Sequence, residues 1–124
     1  MNGFASVVVA GNLTRDVALK YLQSGTALAE FGVAVNEKRT KDGEKVQETS
    51  FFDVKCFGKT AEVAGQYLTK GKPIALEGKL VQERWETDRQ EKRSKIVVIA
   101  NRIHFLPDGQ GGAAPEGEQA EVQG

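Results

Sequence analysis

Apolar and polar positions alternate along much of the first 106 residues, and a period of two predicts strands. Residues 27–36 are the clearest case. Their apolar face is formed by Ala27, Ala29, Phe31, Val33 and Val35. Further strands are predicted at 4–13, 49–57, 74–85 and 94–105, with a short run at 17–22. The polar segments 37–47, with an Asp-Gly turn signal, and 86–93 are predicted to be loops.

One segment, 60–70, has the spacing of a helix, with alanines and Leu68 on its apolar side. Thr60 is predicted to cap its N-terminus, and Gly71 and Pro73 are predicted to end it. Apart from the short run, three strands, a helix and two strands follow one another. This order indicates an all-β fold, the five-stranded oligonucleotide-binding (OB) barrel with one helix between strands 3 and 4. A meander sheet or another small barrel fits the same pattern.

Composition divides the chain near residue 106. The last 18 residues hold five of the 14 glycines, four acids, no aromatic residue and no Lys or Arg. Such a segment buries too little apolar surface to offset its ordering entropy. We therefore predict a folded domain over 1–106 and a disordered, acidic, Gly-rich tail over 107–124.

Charge changes the picture once the tail is set apart. The whole chain balances 17 basic with 17 acidic residues, but residues 1–106 carry 17 basic and 13 acidic ones. This mild basic excess permits a nucleic-acid partner without requiring one.

The composition argues against several classes of function. The single Cys and single His leave no disulfide, no multi-ligand metal site and no nucleophile–base relay, so we expect no enzyme, no catalytic residue, no metal and no cofactor. Cys56 is predicted to be a buried hydrophobe and His104 a surface or edge residue. No apolar run approaches the roughly 20 residues of a membrane span, and no signal peptide is recognisable. A cytoplasmic protein without a membrane partner is expected.

The candidate chemistry lies on the strand faces. In 51–57, Phe52, Val54 and Cys56 form the predicted core face, which turns Phe51, Asp53, Lys55 and Phe57 outward. In the following strand, Ile74, Leu76, Gly78 and Leu80 are predicted to face the core. Glu77, Lys79, Val81, Glu83 and Trp85 are then predicted to face outward, unless a bulge precedes Trp85.

Three large aromatics on solvated faces need a partner, and unpaired bases can stack on them for about 1–3 kcal/mol each. The alternative is that Phe51, Phe57 and Trp85 pack against a neighbouring subunit or a loop. Phosphates would be met by nearby cations. The candidates are Lys20, Arg39, Lys55, Lys59, Lys70, Lys72, Lys79 and Arg84.

An ordered set of short motifs now points to one family. They are 9–13 (VAGNL), Asp16, 20–21 (KY), 57–64 (FGKTAEVA), 67–71 (YLTKG), 77–80 (EGKL) and 84–85 (RW). Together they resemble the bacterial single-stranded DNA-binding protein family over about residues 4–106. The resemblance implies an OB barrel, usually a homotetramer with its first strand at a dimer interface. It also implies binding of single-stranded DNA in replication, recombination and repair, close to the nucleoid.

The resemblance carries site residues as well. It implies stacking on Phe51, Phe57 and Trp85, and basic contacts from Lys20, Lys59, Lys70 and Arg84. This chain departs from the family at three places. Arg39 aligns where a further stacking Trp is frequent, Asp53 stands where a basic residue is frequent, and the last residues lack the acidic Pro-Phe tip that recruits replication and repair proteins. The resemblance still implies replication and repair proteins as partners, but these last residues carry no such tip to recruit them.

Three other functions remain open from the sequence. One is a dimeric, primosome-type accessory protein on the same barrel, and another is an RNA-binding barrel. The third is a protein-interaction scaffold whose outer aromatics form an interface.

Overall fold

A computed structural model describes residues 1–107 and the backbone of residues 120–123. The described residues form seven strands and one helix. These are β1 (Ser6–Leu13), β2 (Ala18–Tyr21), β3 (Ala27–Lys41), β4 (Glu44–Phe57), α1 (Gly58–Tyr67), β5 (Pro73–Glu86), β6 (Lys92–Phe105) and β7 (Ala120–Gln123).

Five of these strands close into a barrel. β1 pairs with β5, β5 with β6, β6 with β4, β4 with β3, and β3 again with β1. All these pairs are antiparallel except β4–β6, which is parallel at Val54–Val98 and Lys55–Ile99. The helix follows the third barrel strand. The predicted all-β OB barrel, with one helix between strands 3 and 4, is therefore confirmed.

Two glycines let strands approach closely where the barrel is tightest. A Cβ at Gly11, beside the short β1–β3 closure at Asn12–Ala34, would collide with the carbonyl oxygen of Ala34. A Cβ at Gly78 would collide in the same way with the carbonyl oxygen of Ile99. A backbone oxygen cannot swing aside as a flexible side chain can, so both positions require glycine.

The core fills the barrel and is closed at one end by α1. Phe31, Val54 and Ile103 are fully buried, and burying each such side chain stabilises the fold by about 1.5–3 kcal/mol. Ala61 and Ala64 of α1 complete this core. Cys56 is also fully buried, as predicted, and this burial raises the pKa of its thiol to about 12.

At the opposite end of the barrel, two predictions of core residues are wrong. Phe52 and Leu80 were predicted to face the core, yet both are exposed. Their strands do point them toward the barrel interior, but Phe52 lies five residues before the end of β4, where α1 begins. Among the described residues no element covers this end, so correct alternation does not produce burial there.

The helix also starts and stops earlier than predicted. It begins at Gly58, whose φ of +66° lets the chain turn directly out of β4. Thr60 is therefore buried inside the first turn and does not cap the helix, and Phe57 holds the cap position without a side-chain hydrogen bond. The helix ends at Tyr67, and the predicted stop at Gly71 lies in the following turn at φ +90°.

The predicted 37–47 loop is mostly strand, whereas the predicted 86–93 loop is confirmed over residues 87–91, with only its ends in strands. β3 and β4 remain paired out to Lys41–Glu44, and β5 and β6 out to Glu86–Lys92. The Asp42-Gly43 turn is confirmed, since both residues have positive φ, as a two-residue hairpin turn requires. Both faces of these arms carry polar residues, because the arms extend past the core and neither face is covered by other described residues.

The predicted disordered tail, 107–124, falls largely on residues 108–119 and 124, which lie outside the described residues. Residues 120–123 depart from the prediction, because they form β7 and pair with β6 from Arg102 to Phe105. β4 pairs with β6 only at Val98 and Ile99, so this stretch of the β6 edge can accept another strand. The domain boundary near residue 106 stays a prediction.

Candidate nucleic-acid interface

Phe51, Phe57 and Trp85 all lie on outward strand faces, as predicted. They are 72%, 39% and 46% exposed. The one register shift between β5 and β6 leaves an extra residue in β6, between Ala100 and Arg102, and not in β5. The alternation of β5 therefore runs undisturbed to Trp85. Stacking itself stays a prediction.

Trp85 stands where two open hollows meet on the β5–β6 arm. One hollow is lined by Arg84, Trp85, Glu86, Lys92, Arg93 and Ser94. The other is lined by Lys55, Glu83, Arg84, Trp85 and Lys95. The only Trp of the chain thus has cationic side chains on both sides, an arrangement that suits an anionic strand carrying planar bases.

Lys55 is held by carboxylates on the neighbouring strands. Its Nζ lies 2.7 Å from Glu83 Oε2 and 3.9 Å from Glu30 Oε2, and Lys20 lies 3.4 Å from Glu30 on the other side. The hydrogen bond with Glu83 raises the pKa of Lys55, against the opposing effect of partial burial. Because the Lys55 ammonium group is paired with these two carboxylates, it is a poorer phosphate contact than its position suggests.

Asp53 lies between two cations on the same outer face of β4 as Phe51. Its Oδ1 is 3.8 Å from Arg15 Nη2 and its Oδ2 is 3.3 Å from Lys95 Nζ. Arg15 reaches this position because it lies over Gly32, where a Cβ would come within 2.6 Å of its Nη1. All three side chains are roughly half-exposed, so this cluster is open to a ligand.

The other predicted basic residues are spread over the molecule. Arg84 joins Trp85 and donates to Gln82 Oε1 at 2.6 Å, while Arg39 pairs with Glu48 on the β3–β4 arm. Lys59 lies in the first turn of α1 and Lys70 follows its end, where the Lys70 backbone N–H donates to Asp16 Oδ1 at 2.8 Å.

Of the eight predicted cations only Lys55 and Arg84 line the Trp85 hollows. Lys72 lines a hollow at the helix end of the barrel with Tyr67 and Phe105, and Lys79 lies opposite Ser6 of β1.

Sequence reasoning missed four cations at this face, namely Arg15, Lys92, Arg93 and Lys95. The β5–β6 register places Arg93 opposite Trp85 and Lys95 opposite Glu83. Pairing the two strands outward from the 86–93 turn would have indicated these two residues. Arg15 precedes a short strand in a connecting segment, and no periodic signal could have placed it over β3.

Other chemistry finds little support among the described residues. No three His, Cys, Asp or Glu side chains converge there on a possible metal position. His104 Nε2 is 3.2 Å from Glu77 Oε1, on a stretch of β6 that pairs with β5 on one side and with β7 on the other, so His104 does not lie at a sheet edge. In the same part of the chain, no helix has the length and apolar character needed to cross a membrane.

Comparison with known proteins gives a consistent result. The family model described as "Single-strand binding protein family" matches residues 4–106. A single-stranded DNA-binding protein of Wolinella succinogenes is 45% identical over 119 residues, which is 95% of this chain and 72% of that protein. The protein of the same name from Treponema pallidum is 46% identical over 108 residues, 87% of this chain and 61% of that protein. The one from Thermotoga maritima is 38% identical over 107 residues, 86% of this chain and 76% of that protein.

Proposed function

Because this chain belongs to the single-strand binding protein family, we propose that it binds single-stranded DNA with little sequence preference and without catalysis. The observation that carries the proposal is Trp85, an exposed aromatic between two hollows lined with cations. Bases stack on aromatic side chains whatever their sequence, since every base has a π-face. The chain spans about three fifths to three quarters of the relatives named above, so its cellular role is proposed from the domain alone.

Aromatic side chains and cations make different contacts with the strand. We assign stacking to Phe51, Phe57 and Trp85, and phosphate contacts chiefly to cations that lie near Trp85, such as Arg84 and Arg93. Each phosphate that is neutralised releases counterions, which lowers log K by about 0.7 per phosphate for each tenfold rise in salt. A domain of this kind would protect exposed single strands at the nucleoid during replication, recombination and repair.

A titration with oligo-dT tests this function directly. Trp85 is the only Trp, so its fluorescence reports one site. We expect strong quenching by oligo-dT, weak response to a duplex of equal length, and loss of binding as salt rises. A matched RNA oligomer tests the RNA-binding alternative. No binding to any oligomer by fluorescence or by a second method would leave the aromatic face as a protein interface and overturn the proposal.

The edge of β1 supports assembly into a homo-oligomer. Residues 6–12 pair with β5 on one side, and on the other side β1 pairs with β3 only at Asn12 and Leu13. Among the described residues no strand occupies the rest of that edge. Phe4 and Val8 beside it are exposed, which is unusual for large apolar side chains in a monomer. We propose a homotetramer in which β1 lies at an interface between copies.

Light scattering coupled to size exclusion tests this assembly. We expect four chain masses for the wild type and a smaller species for Val8→Lys, because the lysine places a charge in the proposed interface. Two chain masses would favour the dimeric accessory type of protein. A monomeric wild type would contradict an interface at β1.

A further inference from the structure

We propose that Arg15 and Lys95 form a binding site for one nucleic-acid phosphate, and that the carboxylate of Asp53 occupies this site in the free protein. This inference rests on the proposed function, because it assumes that single-stranded DNA crosses the outer face of β4. It assigns Asp53 the role of an internal competitor, which the strand displaces when it binds.

The geometry of Asp53 resembles that of a bridging phosphate. Each carboxylate oxygen faces a different cation, Oδ1 toward Arg15 and Oδ2 toward Lys95. Two oxygens of a phosphate can make the same two contacts, since both groups are anions that only accept hydrogen bonds. A carboxylate and a phosphate therefore compete for the same pair of donors.

The carboxylate is held loosely enough to be displaced. Its separations from the two cations, 3.8 Å and 3.3 Å, are longer than the roughly 2.7–2.9 Å of a strong charged hydrogen bond. All three side chains are about half-exposed, and exposed ion pairs are weak. Lys55 provides the contrast, because its shorter contact with Glu83 is also more buried.

The position of the site fits a strand that alternates bases and phosphates. Asp53 is two residues from Phe51 on the same face of β4, and Lys95 shares a hollow with Trp85. Glu83, which lies opposite Lys95 in the register, is bound to Lys55. Lys95 is thereby left to Asp53, between two proposed stacking positions.

The test measures oligo-dT affinity as a function of salt for four chains. These are the wild type, Asp53→Asn, the double variant Arg15→Gln/Lys95→Gln, and the triple variant that combines all three changes. We expect Asp53→Asn to raise affinity roughly twofold to thirtyfold, the range for losing two exposed ion pairs that compete with the strand. The double variant should bind more weakly, with a salt slope smaller by roughly 0.7, the value for one phosphate.

The triple variant separates competition from simple repulsion. If Asp53 competes for the two cations, Asp53→Asn must raise affinity less when Arg15 and Lys95 are absent than when they are present. If Asp53 merely repels the strand, the gain will be equal or larger without the cations, and the proposal is overturned. Glu62→Gln removes one acid on α1, where Glu62 accepts a hydrogen bond from the Tyr21 hydroxyl, and as a control it should leave affinity unchanged.

Failure of the inference can be told from failure of the function. A wild type that does not bind oligo-dT overturns both. A wild type that binds, with Asp53→Asn no tighter, overturns the phosphate site alone. Melting temperatures of all variants verify that any change in affinity arises in a folded protein.

Discussion

Replacing Trp85 by alanine should weaken the binding of oligo-dT roughly 5- to 150-fold. This range corresponds to the loss of one stacked base, about 1–3 kcal/mol. Trp85 lies on the β5–β6 arm beyond the buried core, so its removal should leave the folded barrel intact. Because the variant lacks the fluorescent reporter, affinity is measured by the anisotropy of a labelled oligomer.

Adjacent phenylalanines on β4 provide a matched control for this effect. Phe51 and Phe52 are neighbours on opposite faces of one strand, and both are exposed. Phe51→Ala should weaken binding by a similar factor, whereas Phe52→Ala should bind as the wild type does. Equal losses in the two variants would indicate a general effect on the domain. Wild-type affinity for both Trp85→Ala and Phe51→Ala would contradict base stacking on this face.

Replacing Gly11 by alanine should destabilise the fold by about 3 kcal/mol, the upper end of the usual cost of overpacking. The new Cβ would meet the carbonyl oxygen of Ala34, and this backbone atom can move only if the β1–β3 closure opens. Urea denaturation gives the change in the free energy of unfolding. Gly78→Ala should behave similarly, because its Cβ would meet the carbonyl oxygen of Ile99.

Gly3 supplies the control for the same chemical change. A Cβ at Gly3 meets no atom within 4 Å, so Gly3→Ala should change stability by less than about 1 kcal/mol. If Gly11→Ala were as stable as Gly3→Ala, the barrel would have to close more loosely than the structure shows.

Alternation predicted the fold and the aromatic positions because it follows backbone geometry. Side chains of a strand point to opposite faces wherever the strand runs, so Phe51, Phe57 and Trp85 could be placed outward from the sequence. Burial is another matter, since it depends on what covers a face. Phe52 and Leu80 are exposed at the uncovered end of the barrel, and no local pattern records where that end lies.

The electrostatic part of the site was the least predictable from sequence. Asp53, Arg15 and Lys95 come from three distant segments, and only the closed barrel brings them together. Counting charges identified Lys55 as a candidate contact but could not show that Glu83 and Glu30 already hold it. The helix start was missed for a local reason, because a Gly at positive φ replaced the expected side-chain cap.

The pairing of the first strand with β5 also bears on how the chain is made. Pro73 lies 60 positions after Leu13, so at roughly 5–20 residues per second a ribosome needs about 3–12 s between these two points. During that interval the Val-rich β1 lacks its main neighbour, while the β3–β4 hairpin can already form from local contacts. During this interval each nascent chain exposes β1 as an unpaired, aggregation-prone strand, which chaperones would have to shield. The proposed joining of copies through β1 must then wait until β5 has been synthesised.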